Sequence, residues 1–195
     1  AFATLNEEKM EFSPEYNFIP IPRDWKVTSF TQQPGTKKYW IGRSNGLAIY
    51  NARSNHFSYS DFNMEEEAVI YAFGDVPAPA NIYFDQENRV WFDNWRTSPW
   101  IYCFDLKKKE KVLEFSTDKN LRIGYHEVRG FLEQKNGDIW IKGLGIFAKY
   151  LEKEKLFQAV YNGYTNEQSI YYYRINDFFE DRERNIWLAT NNNGL

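Results

Sequence analysis

Asn185-Ile186-Trp187-Leu188-Ala189-Thr190, followed by Asn191-Asn192-Asn193-Gly194-Leu195, reads as turn, strand and polar loop. A tryptophan flanked by β-branched and aliphatic residues, with no helical period, favours a buried strand. Working outward, the same phrase recurs three times upstream. Trp40 sits in Lys38-Tyr39-Trp40-Ile41-Gly42, Trp91 in Arg89-Val90-Trp91-Phe92-Asp93, and Trp140 in Asp138-Ile139-Trp140-Ile141-Lys142-Gly143. The tryptophans are 51, 49 and 47 residues apart. A near-constant spacing of this size marks a repeat architecture.

Each repeat carries more than its tryptophan. Ile82-Tyr83-Phe84-Asp85, Phe131-Leu132-Glu133-Gln134 and Phe178-Phe179-Glu180-Asp181 each begin nine residues before it. Polar turns such as Gln134-Lys135-Asn136-Gly137-Asp138 lie between, and Asn-Gly supplies the positive φ of a tight hairpin. In the first repeat the turn Gln33-Pro34-Gly35-Thr36-Lys37 is one residue longer if Phe30 is the counterpart of Phe131. After the tryptophan come a Gly-containing corner (Asn45-Gly46, Gly143-Leu144-Gly145), a third strand such as Leu47-Ala48-Ile49-Tyr50, a charged turn, and a more polar fourth strand such as His56-Phe57-Ser58-Tyr59. Four short antiparallel strands per period describe a propeller blade. The fold expected is therefore all-β, a β-propeller of four Trp-centred, four-stranded repeats, with residues 1–195 as a single domain. Core packing is the first reading of every one of the four tryptophans, and no helix is expected anywhere.

Residues 1–19 resemble the second half of a blade, since 6–12 matches 51–57 in length and in its charged turn. Two arrangements follow. Strands near 174–190 pair with strands near 2–18 to close a four-bladed ring, the arrangement favoured here because closure removes unpaired edges; or the chain is a slice of a larger propeller. Blades are expected over about 27–60, 80–116 and 128–160, with 61–79 a partly irregular connection.

Composition narrows the function classes. Aromatic residues make up 19% of the 195, which suits sheets stacked face to face. Net charge is −3, so the basic footprint of a nucleic-acid binder is absent. The one basic cluster, Lys107-Lys108-Lys109-Glu110-Lys111, falls where the repeat places a hairpin turn. A single cysteine, Cys103, rules out a disulfide within the chain and leaves the compartment open. No apolar run reaches the ~18–20 residues of a membrane helix, and Glu7, Glu8 and Glu11 interrupt anything resembling a signal peptide.

The residues 180–190, Glu-Asp-Arg-Glu-Arg-Asn-Ile-Trp-Leu-Ala-Thr, together with Asn193-Gly194-Leu195, resemble the two-component regulator propeller repeat: acidic pair, short turn, Asn-Ile-Trp-Ile-Gly-Thr, then Gly-Leu. Residues 134–141 match it as well, Trp40-Ile41-Gly42 with Asn45-Gly46-Leu47 match its second half, and the Trp91 repeat lacks the Gly-Leu corner. The resemblance implies the extracytoplasmic, periplasmic sensor region of hybrid two-component histidine kinases, where such propellers detect carbohydrate fragments or transmit their binding. Kinase, receiver and transmembrane segments of that family are not in this sequence, so any membrane association comes through segments of a longer protein, and sensing or scaffolding remains without phosphotransfer.

In a propeller the loops between blades and those joining strands two and three build the channel mouth. Here they fall near 74–81, 124–129 and 168–174, and near 43–45, 94–100 and 191–193. The expected ligand-binding residues are Trp95, Arg96, Trp100, His126, Arg129, Tyr173, Arg174 and Asn192. Flat aromatics beside planar polar groups suit an oligosaccharide, because the sugar ring stacks while Asn and Arg bond its hydroxyls. Covering a blade face or an inter-chain contact is the plainer reading of the same aromatics. No catalytic residue, metal site or cofactor is expected. Asp85, Glu133 and Asp181 recur with the repeat and read first as turn caps, and the only histidines are His56 and His126. Two alternatives stay open: a structural module that dimerises without a small ligand, and a propeller carbohydrate-active enzyme or lyase.

Overall fold

The computed structural model describes residues 3–13, 19–94, 100–115, 127–160, 163 and 174–191; of Thr4, Trp100 and Phe115 it describes the backbone. Chain order gives β1 (Thr4–Asn6), β2 (Glu11–Ser13), β3 (Val27–Gln32), β4 (Lys38–Arg43), β5 (Gly46–Asn51), β6 (His56–Tyr59), β7 (Phe62–Asn63) and helix α1 (Ala68–Phe73). Then follow β8 (Pro79–Phe84), β9 (Arg89–Asn94), β10 (Trp100–Asp105), β11 (Glu110–Phe115), β12 (Glu127–Glu133), β13 (Ile139–Leu144), β14 (Phe147–Leu151), β15 (Leu156–Ala159), β16 (Ile175–Glu180) and β17 (Ile186–Thr190). Strands β8–β11 and β12–β15 form antiparallel four-stranded sheets in sequence order. The first sheet, β3–β7, carries a fifth strand beyond the four the repeat requires.

The turns explain why the sheets repeat. Three residues before each later tryptophan the backbone takes positive φ, at Asn88 (64°), Gly137 (88°) and Arg184 (73°). The residue just before each fourth strand does the same, at Asn55 (60°), Lys109 (60°) and Lys155 (50°). Met10 (53°) occupies that position in the β1–β2 hairpin. Asn6 faces Glu11 as Asn51 faces His56. The N-terminal hairpin thus shares its turn geometry with the hairpins between strands three and four. The Lys107–Lys109 run lies in the β10–β11 hairpin, where Asp105 accepts the backbone N–H groups of Lys107 and Lys108 at 2.9 and 2.8 Å.

Sheets stack through their wide faces, and the first strands of successive repeats, β3, β8, β12 and β16, lie side by side. Trp40 (1% exposed) packs with Leu47 and Ile49 against Val90, Phe92 and Phe104 of the second sheet. Trp91 (0% exposed) packs with Ile101 and Cys103 against Phe131, Ile139 and Ile141 of the third. Trp140 and Leu132 meet Phe178, Ile186 and Leu188 of β16–β17. Gly42 marks the closest approach in the first seam: a Cβ there would sit 2.1 Å from the Pro79 carbonyl oxygen.

Three expectations are corrected. α1 exists; its run Ala68-Val69-Ile70-Tyr71-Ala72-Phe73 is too short to show a helical period. Val69, Ile70 and Phe73 are buried in the space between the first two sheets, and Phe73 meets Phe92 and Tyr102 edge-on. Burial of that face, rather than propensity, makes the helix. Trp187 is not core: it is 44% exposed, because among the described residues no sheet lies over it. Finally, β1–β2 and β16–β17 stand as separate two-stranded sheets. The composite closing sheet expected from the sequence is not formed between these strands.

Two substitutions test this packing by urea unfolding. Trp91→Ala should cost about 3–5 kcal/mol, as expected for a fully enclosed large side chain, whereas Trp187→Ala should cost only about 1–2 kcal/mol, because half of its surface already meets water.

Candidate functional site

The first strand of every repeat contains a β-bulge near the same end, one ladder step later in the second sheet than in the other three. Register shifts fall between Val27 and Ser29, Ala80 and Tyr83, Val128 and Gly130, and Ile175 and Asp177. A bulge inserts an unpaired residue and re-aims its side chain. The residues so placed are Thr28, Asn81, Arg129 and Asn176, and Asn81 carries positive φ (49°). All lie at the end of the sheets where blade-to-blade connections enter and strands two and three join. One end of the molecule therefore presents a polar side chain per repeat.

Three of the bulges lie against the residue two positions after a tryptophan: Thr28 beside Gly42, Asn81 against Asp93, and Asn176 against Lys142. In the first seam Thr28 Oγ1 and Ser29 Oγ donate to Pro79 O at 2.9 and 2.7 Å, over Gly42. In the second, Asn81 Nδ2 donates to Asp93 Oδ1 at 2.8 Å and lies 3.4 Å from Val128 O. Asp93 is completely buried, and its Oδ2 has no partner among the described residues. In the third, Lys142 Nζ donates to Asn176 O and, at 2.9 Å, to Asp177 Oδ1. That ammonium holds Asp177 below the usual carboxylate range. Asn176 Nδ2 donates in turn to Asn191 Oδ1.

Of the residues expected from the sequence, the structure brings Arg129 and Arg174 to one corner. Arg129 Nη2 donates to Glu127 Oε1 at 2.8 Å, and its Nε is buried without a partner among the described residues. Glu127 pairs with Leu144 across β12–β13, and Leu144 forms an antiparallel bridge to Arg174. Arg174 is exposed, and its carbonyl accepts Asn191 N–H at 3.2 Å. Trp100 starts β10 opposite Asn94, which fixes its backbone at the same end. Trp95, Arg96, His126, Tyr173 and Asn192 lie outside the described residues.

Asn81, Asp93 and Asn176 escaped the sequence reading. Only the bulge brings Asn81 and Asn176 to this end, and a bulge leaves no mark in a hydrophobic pattern. A signal for Asp93 did exist, since an acid stands where the family phrase carries glycine.

The recurrent acids serve the framework. Asp85 Oδ2 accepts from Trp91 Nε1 (2.8 Å) and Arg89 Nε (2.6 Å), and Asp181 Oδ2 accepts from Trp187 Nε1 (2.7 Å). Glu133 accepts the Gln86 backbone N–H at 3.0–3.1 Å. With those oxygens committed, these three carboxylates form no acid–nucleophile pair of the kind glycoside hydrolysis needs. Among the described residues no three His, Cys, Asp or Glu side chains gather as metal ligands.

Burial pushes the Asp93 carboxyl up to about 7, with nearby Glu127 adding to the rise after Asn81 opposes it. The folded chain therefore keeps a proton that the unfolded chain releases above its ordinary value of 3.8. Stability from this group is full below that value and is lost as pH rises toward 7. Asp93→Asn, which mimics the protonated acid, should stabilise the protein at pH 8 by on the order of 1–3 kcal/mol. It should also flatten the decline between pH 4 and 7 in melts followed by circular dichroism.

No protein-family model matches the sequence, and no curated protein matches it. Solved structures do match. The extracellular domain of a hybrid two-component system of B. thetaiotaomicron superposes with a TM-score of 0.61 at 16% identity, over 85% of this chain and 20% of that one. A second such extracellular domain from the same organism gives 0.58 at 15% identity, over 85% and 21%. The WD40 repeats of RRP9 give 0.51 at 8% identity, over 89% and 54%. The fold is thus propeller-like, and this chain spans about a fifth of the length of the sensor domains it resembles. Among the described residues no helix is long and apolar enough to cross a membrane.

Proposed function

We propose that this chain is part of the extracytoplasmic, periplasmic sensing propeller of a bacterial hybrid two-component system, and that it recognises an oligosaccharide at the end of the sheets where the bulges lie. One observation carries the reading: the same local irregularity, repeated in successive first strands, sets Asn81, Arg129 and Asn176 at one end, beside Arg174 and Asn191. Amide groups both donate and accept, and guanidinium offers five donors in a fixed plane. A run of such groups matches the hydroxyls and any carboxylate of a sugar chain. The fold shared with extracellular sensor domains supports the assignment, as do the structural duties already held by Asp85, Glu133 and Asp181. The aromatic platforms in this reading are Trp95, Trp100 and Tyr173, with Arg96, His126 and Asn192 beside them.

The test is a calorimetric titration with a panel of plant and host oligosaccharides. Arg174→Ala and Arg129→Ala should each weaken binding of the active glycan about tenfold or more, roughly 1.4 kcal/mol. Arg53→Ala, in the exposed hairpin at the other end of the first sheet, should leave it unchanged. A binding glycan at 100 times its dissociation constant should add about 2.7 kcal/mol to stability. A panel that moves neither the heat signal nor the melt would remove the sugar from this reading.

A further inference from the structure

At the end opposite the bulges, the second seam is filled and the first is hollow. Arg89, two residues before Trp91, is buried and reaches across the second seam to Glu152 at 2.7 Å. The strand registers give the same two positions in the first seam. Lys38 stands two residues before Trp40, and Leu106 follows Asp105 as Glu152 follows Leu151. The Leu106 side chain accepts no hydrogen bond, so the corresponding ion pair cannot form. Lys38 pairs instead with Glu67, in the segment that joins β7 to α1. A cavity of about 250 Å³ remains there, and Trp40, Val69 and Phe104 form its apolar lining. At roughly 30 Å³ per water it has room for about eight waters, or for one small molecule.

The polar lining carries both signs: Glu65, Glu66 and Glu67 with Lys38 and Lys109. Glu65 is engaged, since its oxygens accept from Asn51 Nδ2 at 2.9 and 3.1 Å and from Ser54 Oγ. Glu67 Oε1 is taken by Lys38. Glu67 Oε2 and the side chains of Glu66 and Lys109 have no partner among the described residues. The backbone carrying the acids is nevertheless fixed. Asn63 Oδ1 accepts Glu67 N–H at 2.9 Å, Asn63 Nδ2 donates to Glu67 O at 3.1 Å, and Glu66 N–H donates to Asn63 O at 3.1 Å. Groups held in place before a ligand arrives lose little freedom on binding it. The three glutamates do not converge as metal ligands. A bare anion would face three carboxylates, whereas a ligand with an ammonium and a carboxylate meets a partner for each.

We propose that this cavity binds an α-amino acid. Its ammonium donates to Glu66 and to Glu67 Oε2, its carboxylate accepts from Lys109, and its side chain lies along Trp40 and Phe104. Charge-assisted bonds of this kind are the strong ones. Two ammoniums against three carboxylates leave the lining at −1, so a basic side chain binds best. The site lies at the opposite end from the bulges and does not depend on the sugar reading.

The test is a calorimetric titration of the chain with each of the twenty L-amino acids, and with cadaverine and Nα-acetyl-L-lysine as probes lacking the carboxylate and the α-ammonium. L-lysine should bind more tightly than L-leucine, and L-leucine more tightly than L-glutamate. Cadaverine should bind about tenfold more weakly than L-lysine, and Nα-acetyl-L-lysine weaker still. Glu66→Gln should weaken L-lysine about tenfold, and Lys109→Gln should erase its advantage over cadaverine. Both side chains are exposed, so neither change should shift the melt. Arg174→Ala should leave L-lysine binding as it is, and Glu66→Gln should leave any glycan titration as it is, which separates the two sites. The proposal is overturned if no amino acid gives a heat signal, if Nα-acetyl-L-lysine binds as tightly as L-lysine, or if a folded Glu66→Gln chain keeps the full affinity.

Discussion

A hydrogen bond from the indole to an acid or amide six or seven residues earlier holds every repeat together. Trp91 donates to Asp85 and Trp187 to Asp181, while Trp140 donates to Gln134 (2.8 Å) and Trp40 to Gln33 (3.1 Å). Each bond ties the start of the first hairpin turn to the middle of the second strand. A buried indole N–H without a partner costs free energy, so the acceptor cannot be dropped. Where the acceptor is a carboxylate, it also takes a backbone N–H of its own turn, Arg89 N–H for Asp85 and Asn185 N–H for Asp181. Turn, strand and core residue are thereby set by one side chain.

From that clamp the stacking of sheets follows. With their N–H groups satisfied, Trp40, Trp91 and Trp140 pack against the next sheet and take up the apolar residues either side of that sheet's own tryptophan. The carboxylate one position before the clamp then reaches back to the preceding turn. In the second seam the network extends further: Arg89 is buried between Asp85 and Glu152 of the third sheet, and these acids raise its affinity for its proton. In that seam the end of the molecule opposite the bulges is thus locked by charge and turn geometry, and the bulged end is the one left free to vary.

That variation is visible in three seams built on one backbone plan. Gly42 allows the Pro79 carbonyl to close in, Asp93 brings a buried acid against Asn81, and Lys142 reaches Asn176 and Asp177. The position two residues after the tryptophan is where the framework tolerates different chemistry. Function in a repeat protein is expected at such places, since the hydrophobic faces are committed to neighbouring sheets.

The sequence by itself determined the repeat, its phase and its turns. Tryptophan spacing, Asn-Gly and charged hairpins locate the strands of the repeats, though not the added β7, because those signals are local: a strand needs its alternation and a turn needs its positive φ. The match of 6–12 to 51–57 also foretold an antiparallel hairpin at the N-terminus, which β1 and β2 form. Tertiary structure alone decided which tryptophan is buried, where α1 forms, and which polar residues share one end. Trp91 and Trp187 have nearly the same flanks, yet one is enclosed and the other meets water, because enclosure depends on the adjoining sheet. Asn81 and Asn176 are brought to that end by bulges, and a bulge arises from the fit between two strands, which no single strand encodes.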